Sequence, residues 1–162
     1  IDNMKALLEK YKIPADLITL EILEGLALEN IDELNEKISR LKALGFRVSM
    51  DDFGSGYSSL NILKNLPIQV LKLDILFFRK SVDIARERII IRNILTMAHE
   101  LQMKTIAEGV ETAEQVEYLK APGCDILQGY VYFKPMPLAD FDQVLQAELD
   151  QPQGCQESGV EV

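Results

Sequence analysis

Short apolar runs alternate with longer amphipathic stretches along this chain, and the alternation occurs five times. The runs cover residues 17–21, 46–51, 70–74, 104–108 and 125–129. They are short and nearly continuous in apolar residues, the pattern of parallel strands covered on both faces. Apolar positions at helical spacing predict helices over 2–12, 26–44, 58–65, 81–102, 112–120 and 138–149. Met4, Leu7, Leu8 and Tyr11 mark the first helix, and Leu34, Ile38, Leu41 and Leu44 lie on the stripe of the second. Gly45 supplies a stop for the second helix, and Pro14, Pro67 and Pro122-Gly123 punctuate the remainder.

Strand–helix alternation of this kind means an α/β fold with a parallel sheet, either doubly wound or closed into a barrel. A doubly wound sheet concentrates its chemistry at one crevice, where the strand order reverses. Here a polar residue closes every strand, which suits the mouth of a TIM-like (β/α) barrel. A complete barrel of that type has about eight strands. The chain is therefore expected to supply about five βα units of one, so that residues 1–149 form part of a barrel domain belonging to a longer protein. Residues 150–162, rich in Gln, Gly and Glu, are expected to be a disordered tail.

Composition narrows the function classes. The 162 residues are 48% hydrophobic and 27% charged, as in an ordinary globular protein. The net charge is −9 and no basic stripe is visible, which disfavours a long nucleic acid held by Lys and Arg. A small phosphorylated ligand stays open if metal ions bridge it to carboxylates. Cys124 and Cys155 fit neither a disulfide framework nor a zinc pattern, so a reducing cytoplasm is the simplest setting. His99, the only histidine, reads as a helix-end residue rather than a ligand.

The strand-end residues are Glu21, Asp51, Asp52, Lys72, Asp74, Glu108 and Gln128. Ionised groups buried singly are costly, so a set of them at one mouth calls for metal ions or for one another. Adjacent residues of a strand point to opposite faces, so Asp51 and Asp52 can converge only if the chain turns, and Gly54 and Gly56 are placed to turn it. Such a pair suits two metal ions sharing a bridging carboxylate. A turn-capping role is the bland alternative. Lys72, inside an apolar strand, could steer or deprotonate a water or balance a phosphate. A carboxylate-and-lysine mouth also suits an Mg²⁺-dependent enzyme that forms an enolate.

Five segments occurring in order resemble one family. They are Glu21-Ile22-Leu23-Glu24, Asp51-Asp52-Phe53-Gly54-Ser55-Gly56-Tyr57-Ser58-Ser59-Leu60, Leu71-Lys72-Leu73-Asp74, Ile106-Ala107-Glu108-Gly109-Val110-Glu111-Thr112 and Gly123-Cys124-Asp125-Ile126-Leu127-Gln128-Gly129-Tyr130. Together with Pro135-Met136-Pro137 they resemble the EAL-domain family, bacterial phosphodiesterases that hydrolyse cyclic di-GMP. The resemblance implies a modified TIM barrel and two Mg²⁺ or Mn²⁺ ions. It implies Glu21 as a metal ligand, Asp51 as a bridge between the ions, Asp52 as a ligand to one and Glu108 as completing the cluster. Lys72 would hold the attacking water and Gln128 would position water or metal near the scissile phosphate. Glu24 would steady the loop after Asp52, and Glu111 would support the site from the Glu-Gly-Val-Glu segment. The product would be pGpG.

The Glu-Ala-Leu signature and an asparagine ligand that the family carries earlier in its domain have no counterpart here. This isolated chain is accordingly expected to be inactive, with sensory or GGDEF-type domains upstream in the parent protein. Leu23 stands where the family usually has Thr, and Asp74-Ile75-Leu76 where it has Asp-Arg-Ser. A catalytically silent module that binds cyclic di-GMP or a protein partner is the alternative within the family. Unpaired strand edges predict a homo-oligomer.

Overall fold

The computed structural model describes residues 1–23, 25, 30–54, 59–74 and 83–150. Helix α1 (Asp2–Tyr11) ends at Lys12, which takes a left-handed conformation and donates its N–H to Leu8 O. A 3-10 turn at Ala15–Leu17 follows Pro14. Then come β1 (Thr19–Leu23), α2 (Ile31–Ala43), β2 (Arg47–Phe53), α3 (Ser59–Asn65), β3 (Val70–Leu73), α4 (Ile84–Glu100), β4 (Lys104–Ala107), α5 (Ala113–Lys120), β5 (Ile126–Leu127) and α6 (Leu138–Leu149). Asn30 and Asp83 cap α2 and α4 by accepting the N–H of Glu33 and of Arg86, in agreement with the preference for short polar oxygens at helix starts.

All four strand pairings are parallel, and the spatial order is β1-β2-β3-β4-β5. Among the described residues no strand order reverses, so these strands form no doubly wound crevice. The sheet is five consecutive βα units of a barrel wall, as the alternation predicted. The register places Met50 beside Leu71 and Leu71 beside Thr105, with Leu73 beside Ala107. These residues share the face covered by the helices, where Val48, Met50, Leu71, Leu73 and Ala107 meet Ile38, Ile91, Leu95 and Leu119 in one core. Residues of the opposite parity face the barrel interior.

The strand expected over 125–129 is confined to Ile126–Leu127, and two further boundaries shift. The strand expected at 17–21 begins at Thr19, because Leu17 is taken into the turn after Pro14. Glu21 therefore sits in mid-strand rather than closing it. The second shift concerns β2, which does not end at Asp51 but runs on to Phe53. The start expected for α2 at residue 26, the loop 55–58 and the tail 151–162 fall outside the described residues.

Candidate active site

Each strand brings one polar group toward the same end of the sheet. Glu21 of β1 lies beside Ser49 of β2, and Asp51 follows two residues later on the same face. Lys72 occupies the interior parity of β3. Glu108 directly follows β4, and its N–H continues the ladder to Leu73 O at 2.9 Å. Beyond it, Thr112 and Gln115 form a reciprocal cap on α5, and Gln115 Oε1 also accepts the N–H of Glu111 at 2.8 Å. That clamp fixes where the loop carrying Glu108 can go.

Lys72 is the hub. Its side chain is only 9% exposed, yet its ammonium pairs with Glu21 Oε1, with Glu108 Oε1 at 2.9 Å and with Asp51 Oδ1 at 3.3 Å. Four strands thus converge on one cation. Burial alone would push the lysine down in pKa. Hydrogen bonds to Glu21 and Glu108, with the charges of Glu108 and Asp51, outweigh it and hold the ammonium above its ordinary value. The group is therefore a fixed positive charge. That charge suits two of the roles expected of Lys72, steering a water and balancing a phosphate.

The paired aspartates are reconciled by a bulge rather than by the end of a strand. Met50 pairs with Leu71 but Phe53 with Leu73, so β2 spends one more residue than β3 over the same span. Asp52 absorbs the extra residue at φ +54°, a left-handed conformation that Asp tolerates better than most side chains. Its N–H donates to Asp51 Oδ1 at 3.0 Å. Burial pushes the Asp52 carboxyl above its ordinary pKa, and the Asp51 charge, the Asp74 charge and a hydrogen bond shared with Asp74 add to this against an opposing pull from Lys72. Gly54 (φ +96°) continues the turn that the bulge begins, and Gly56 lies outside the described residues.

Gln128 follows β5, where its N–H donates to Ala107 O at 2.8 Å and its carbonyl accepts from Val110 N at 3.0 Å. Its side chain is exposed, as is Glu111 ahead of α5. Glu24 lies outside the described residues. The sequence reading passed over Ser49, fully buried on the interior parity next to Glu21, whose hydroxyl has no hydrogen-bond partner among the described residues. A serine amid Val48 and Met50 was the available signal. An apolar cleft lined by Leu7, Leu8, Tyr11, Ile18 and Phe46 opens between α1 and the beginnings of β1 and β2, away from the carboxylates.

Hard carboxylate oxygens are the donors that Mg²⁺ and Mn²⁺ favour, and three of them already surround a cation here. Among the described residues they are not gathered into a cage of three or more metal-binding groups. The donor set fits such ions, with the lysine standing among the donors.

The EAL domain model matches residues 1–135. The chain belongs to the EAL domain family. This EAL chain is 38% identical over 147 residues to the cyclic di-GMP phosphodiesterase NbdA of Pseudomonas aeruginosa, covering 91% of the chain and 19% of that protein. It is equally similar, 38% over 152 residues, to the signaling protein YkoW of Bacillus subtilis, covering 94% of the chain and 19% of that protein. It thus spans about a fifth of the length of these relatives. Among solved structures it superposes on the PaMucR phosphodiesterase in complex with c-di-GMP with a TM-score of 0.79 at 35% identity, covering 86% of this chain and 57% of that one. The EAL domain of Mycobacterium smegmatis DcpA gives a TM-score of 0.83 at 29% identity, with 90% of this chain and 66% of that one covered.

Proposed function

We propose that this chain is the greater part of an EAL domain that hydrolyses cyclic di-GMP to pGpG with two divalent ions, Mg²⁺ or Mn²⁺. The observation carrying this reading is the convergence of Glu21, Asp51, Lys72 and Glu108 from four strands on one point. Glu21, Asp51, Asp52 and Glu108 would hold the ions, with Asp51 shared between them. When bound, the ions neutralise the phosphodiester and make water a better nucleophile near neutral pH.

The chain's own residues account for the rest. Lys72, fixed as an ammonium, donates to the oxygen of the attacking water and to the phosphate, and so aligns one with the other. Gln128 at the end of β5 orients water or phosphate from the facing side of the mouth. Glu111 and Glu24 steady the loops that carry Glu108 and Asp52. The doubled aspartate at the bulge favours phosphoryl chemistry over an enolate site, which needs no bridging pair. Retention of Lys72 with all four carboxylates favours an enzyme over a silent binding module.

The sequence holds no Glu-Ala-Leu tripeptide, and the chain alone is inactive in this reading. The relatives' greater length, and the bifunctional cyclase/phosphodiesterase name of MucR, support further sensory or GGDEF-type domains in the parent. A cyclic di-GMP substrate and the two cysteines, which fit no disulfide framework, support a cytoplasmic setting for the domain. Among the described residues no helix is long and apolar enough to cross a membrane. Because β1 and β5 each pair with one strand among the described residues, self-association of the chain is expected, and a sharp monomer by sedimentation at micromolar concentration would refute it.

The deciding experiment is cyclic di-GMP turnover with Mn²⁺, with pGpG resolved by chromatography, for this chain and for the domain with its Glu-Ala-Leu segment. The expected result is turnover by the latter only, abolished by Asp51→Asn. A complete domain that binds cyclic di-GMP but leaves it intact would replace the enzyme with the regulatory module.

A further inference from the structure

We infer that Lys72 is a resident cation that occupies the metal position until a divalent ion displaces it, so that metal loading is the event that frees the lysine for substrate. The inference rests on the metal-dependent reading above, and its evidence is geometric. The Lys72 ammonium engages one oxygen each from Glu21, Asp51 and Glu108, the carboxylates assigned to the ions. Hard divalent cations need these same oxygens. An ammonium with three donor hydrogens satisfies three carboxylates at once, so this arrangement is self-sufficient without metal. These oxygens are gathered around Nζ.

The arrangement solves a problem of charge. Three carboxylates projecting from adjacent strands would repel one another and loosen the ends of β1, β2 and β4. Lys72 holds them at the mouth with the strands in register. A divalent ion has twice the charge and takes the same oxygens, so it must expel the ammonium by the short distance its flexible stem allows. The lysine then lies beside the ion, where a water or a phosphate oxygen arrives. Loading and activation become one step, because the group that must face the substrate is held back by the ligands until the ions claim them.

The test measures Mn²⁺ binding to this chain by calorimetry for wild type, Lys72→Met and Lys72→Arg. Removing the competing charge should tighten Mn²⁺ binding by about tenfold or more, because like charges a few ångströms apart repel strongly in a partly desolvated site. Lys72→Arg, which keeps the charge, should stay near wild type. Mn²⁺ should also raise the melting temperature of Lys72→Met more than that of wild type. Equal or weaker binding by Lys72→Met, or no binding by either protein at millimolar Mn²⁺, overturns the inference. Should Lys72→Met fail to fold, the wild type decides alone. The ¹⁵N signal of the Lys72 ammonium should shift or broaden as Mg²⁺ saturates the protein, and an unchanged signal at saturation is the contrary result. Turnover is not read in any arm. The displacement can therefore hold in a chain that hydrolyses nothing, and it can fail in an active domain.

Discussion

Replacing Gly129 by alanine should damage both stability and the site, and the structure sets the size of the effect. A Cβ at this position would lie 2.1 Å from Val110 O, 2.3 Å from Val110 N and 2.7 Å from Val110 C. Ordinary contact begins near 3.4 Å, so the Val110 backbone would have to retreat by about 1.3 Å. It cannot do so freely. Val110 is 1% exposed, its N–H donates to Gln128 O at 3.0 Å, and its carbonyl accepts from Val131 N at 3.0 Å. Overpacking costs about 1–3 kcal/mol. Two strained or broken hydrogen bonds add about 0.5–1.5 kcal/mol each. A loss of about 3 kcal/mol is expected in urea denaturation. The chemistry suffers too, because Glu108 stands two residues before Val110 and Gln128 stands next to Gly129. A misplacement of about 1 Å at a reacting centre costs on the order of a hundredfold in rate. In this chain the same displacement is read as weakened Mn²⁺ binding. Gly25→Ala is the control, since among the described residues nothing lies within 4 Å of the added methyl. An unchanged urea midpoint and unchanged Mn²⁺ affinity for Gly129→Ala would refute the close-approach argument.

Three further predictions concern parts of the fold away from the mouth. Burial acts to raise the Asp125 pKa, but the Thr105 hydroxyl and N–H, then His99, outweigh it and hold the carboxyl below its ordinary value. Such a group stabilises above its unfolded pKa of about 3.9, and the contribution is lost as pH falls through the folded value, so the stability gap between wild type and Asp125→Asn should narrow in acid. A gap that widens toward pH 3 by urea titration, a pH on the order of one unit below that reference, would contradict this. Leu95→Ala, at a fully buried position of α4, should cost about 2–5 kcal/mol, against less than about 0.5 kcal/mol for half-exposed Leu101→Ala. The Tyr118 hydroxyl has no hydrogen-bond partner among the described residues, and burial, aided by the Glu87 charge, pushes its pKa up to about 12. Tyr118→Phe keeps the ring under the Arg88 guanidinium at 5.1 Å and should be neutral or stabilising by up to about 1 kcal/mol, so a loss of stability in thermal melts would argue against it.

Much of this architecture was legible because strands and helices write different periods. The five apolar runs marked the five strands, and the polar residue closing each run marked the mouth. What escaped was geometry that depends on one residue more or less. Glu21 reads as a strand end, yet Ala15–Leu17 turns after Pro14 and shifts β1 forward. Asp51-Asp52 reads as a turn into glycines, yet a bulge supplies the turn one step earlier. A bulge leaves no periodic trace, since its extra residue is visible only against the partner strand. The Thr105–Asp125–His99 network escaped for a related reason. Asp125 Oδ2 accepts from Thr105 N at 2.8 Å, Thr105 Oγ1 at 2.7 Å and His99 Nε2 at 3.0 Å, contacts from two elements about twenty residues and more away in sequence. His99 lies in the last turn of α4, but its partner could not be inferred from its own helix.

The division of labour follows strand parity, and the bulge is where that rule is broken to a purpose. Along β3, Leu71 and Leu73 are buried among the helices, while Lys72 between them gathers carboxylates from three other elements. Neighbouring residues thus answer to different demands, apolar volume on one face and charge on the other. At the two ends of the sheet the demands separate again. The Thr105–Asp125 bonds tie β4 to β5 at their beginnings, where a barrel invests in stability, and the lysine cluster sits at the opposite ends, where it invests in chemistry. Strict alternation would send Asp52 into the helix-facing core, where a carboxylate beside Leu73 would be costly. The extra residue gives that place to Phe53, 3% exposed and paired with Leu73, and leaves both aspartates at the mouth. The left-handed residue at position 52 is the local strain that keeps the two neighbouring carboxylates together.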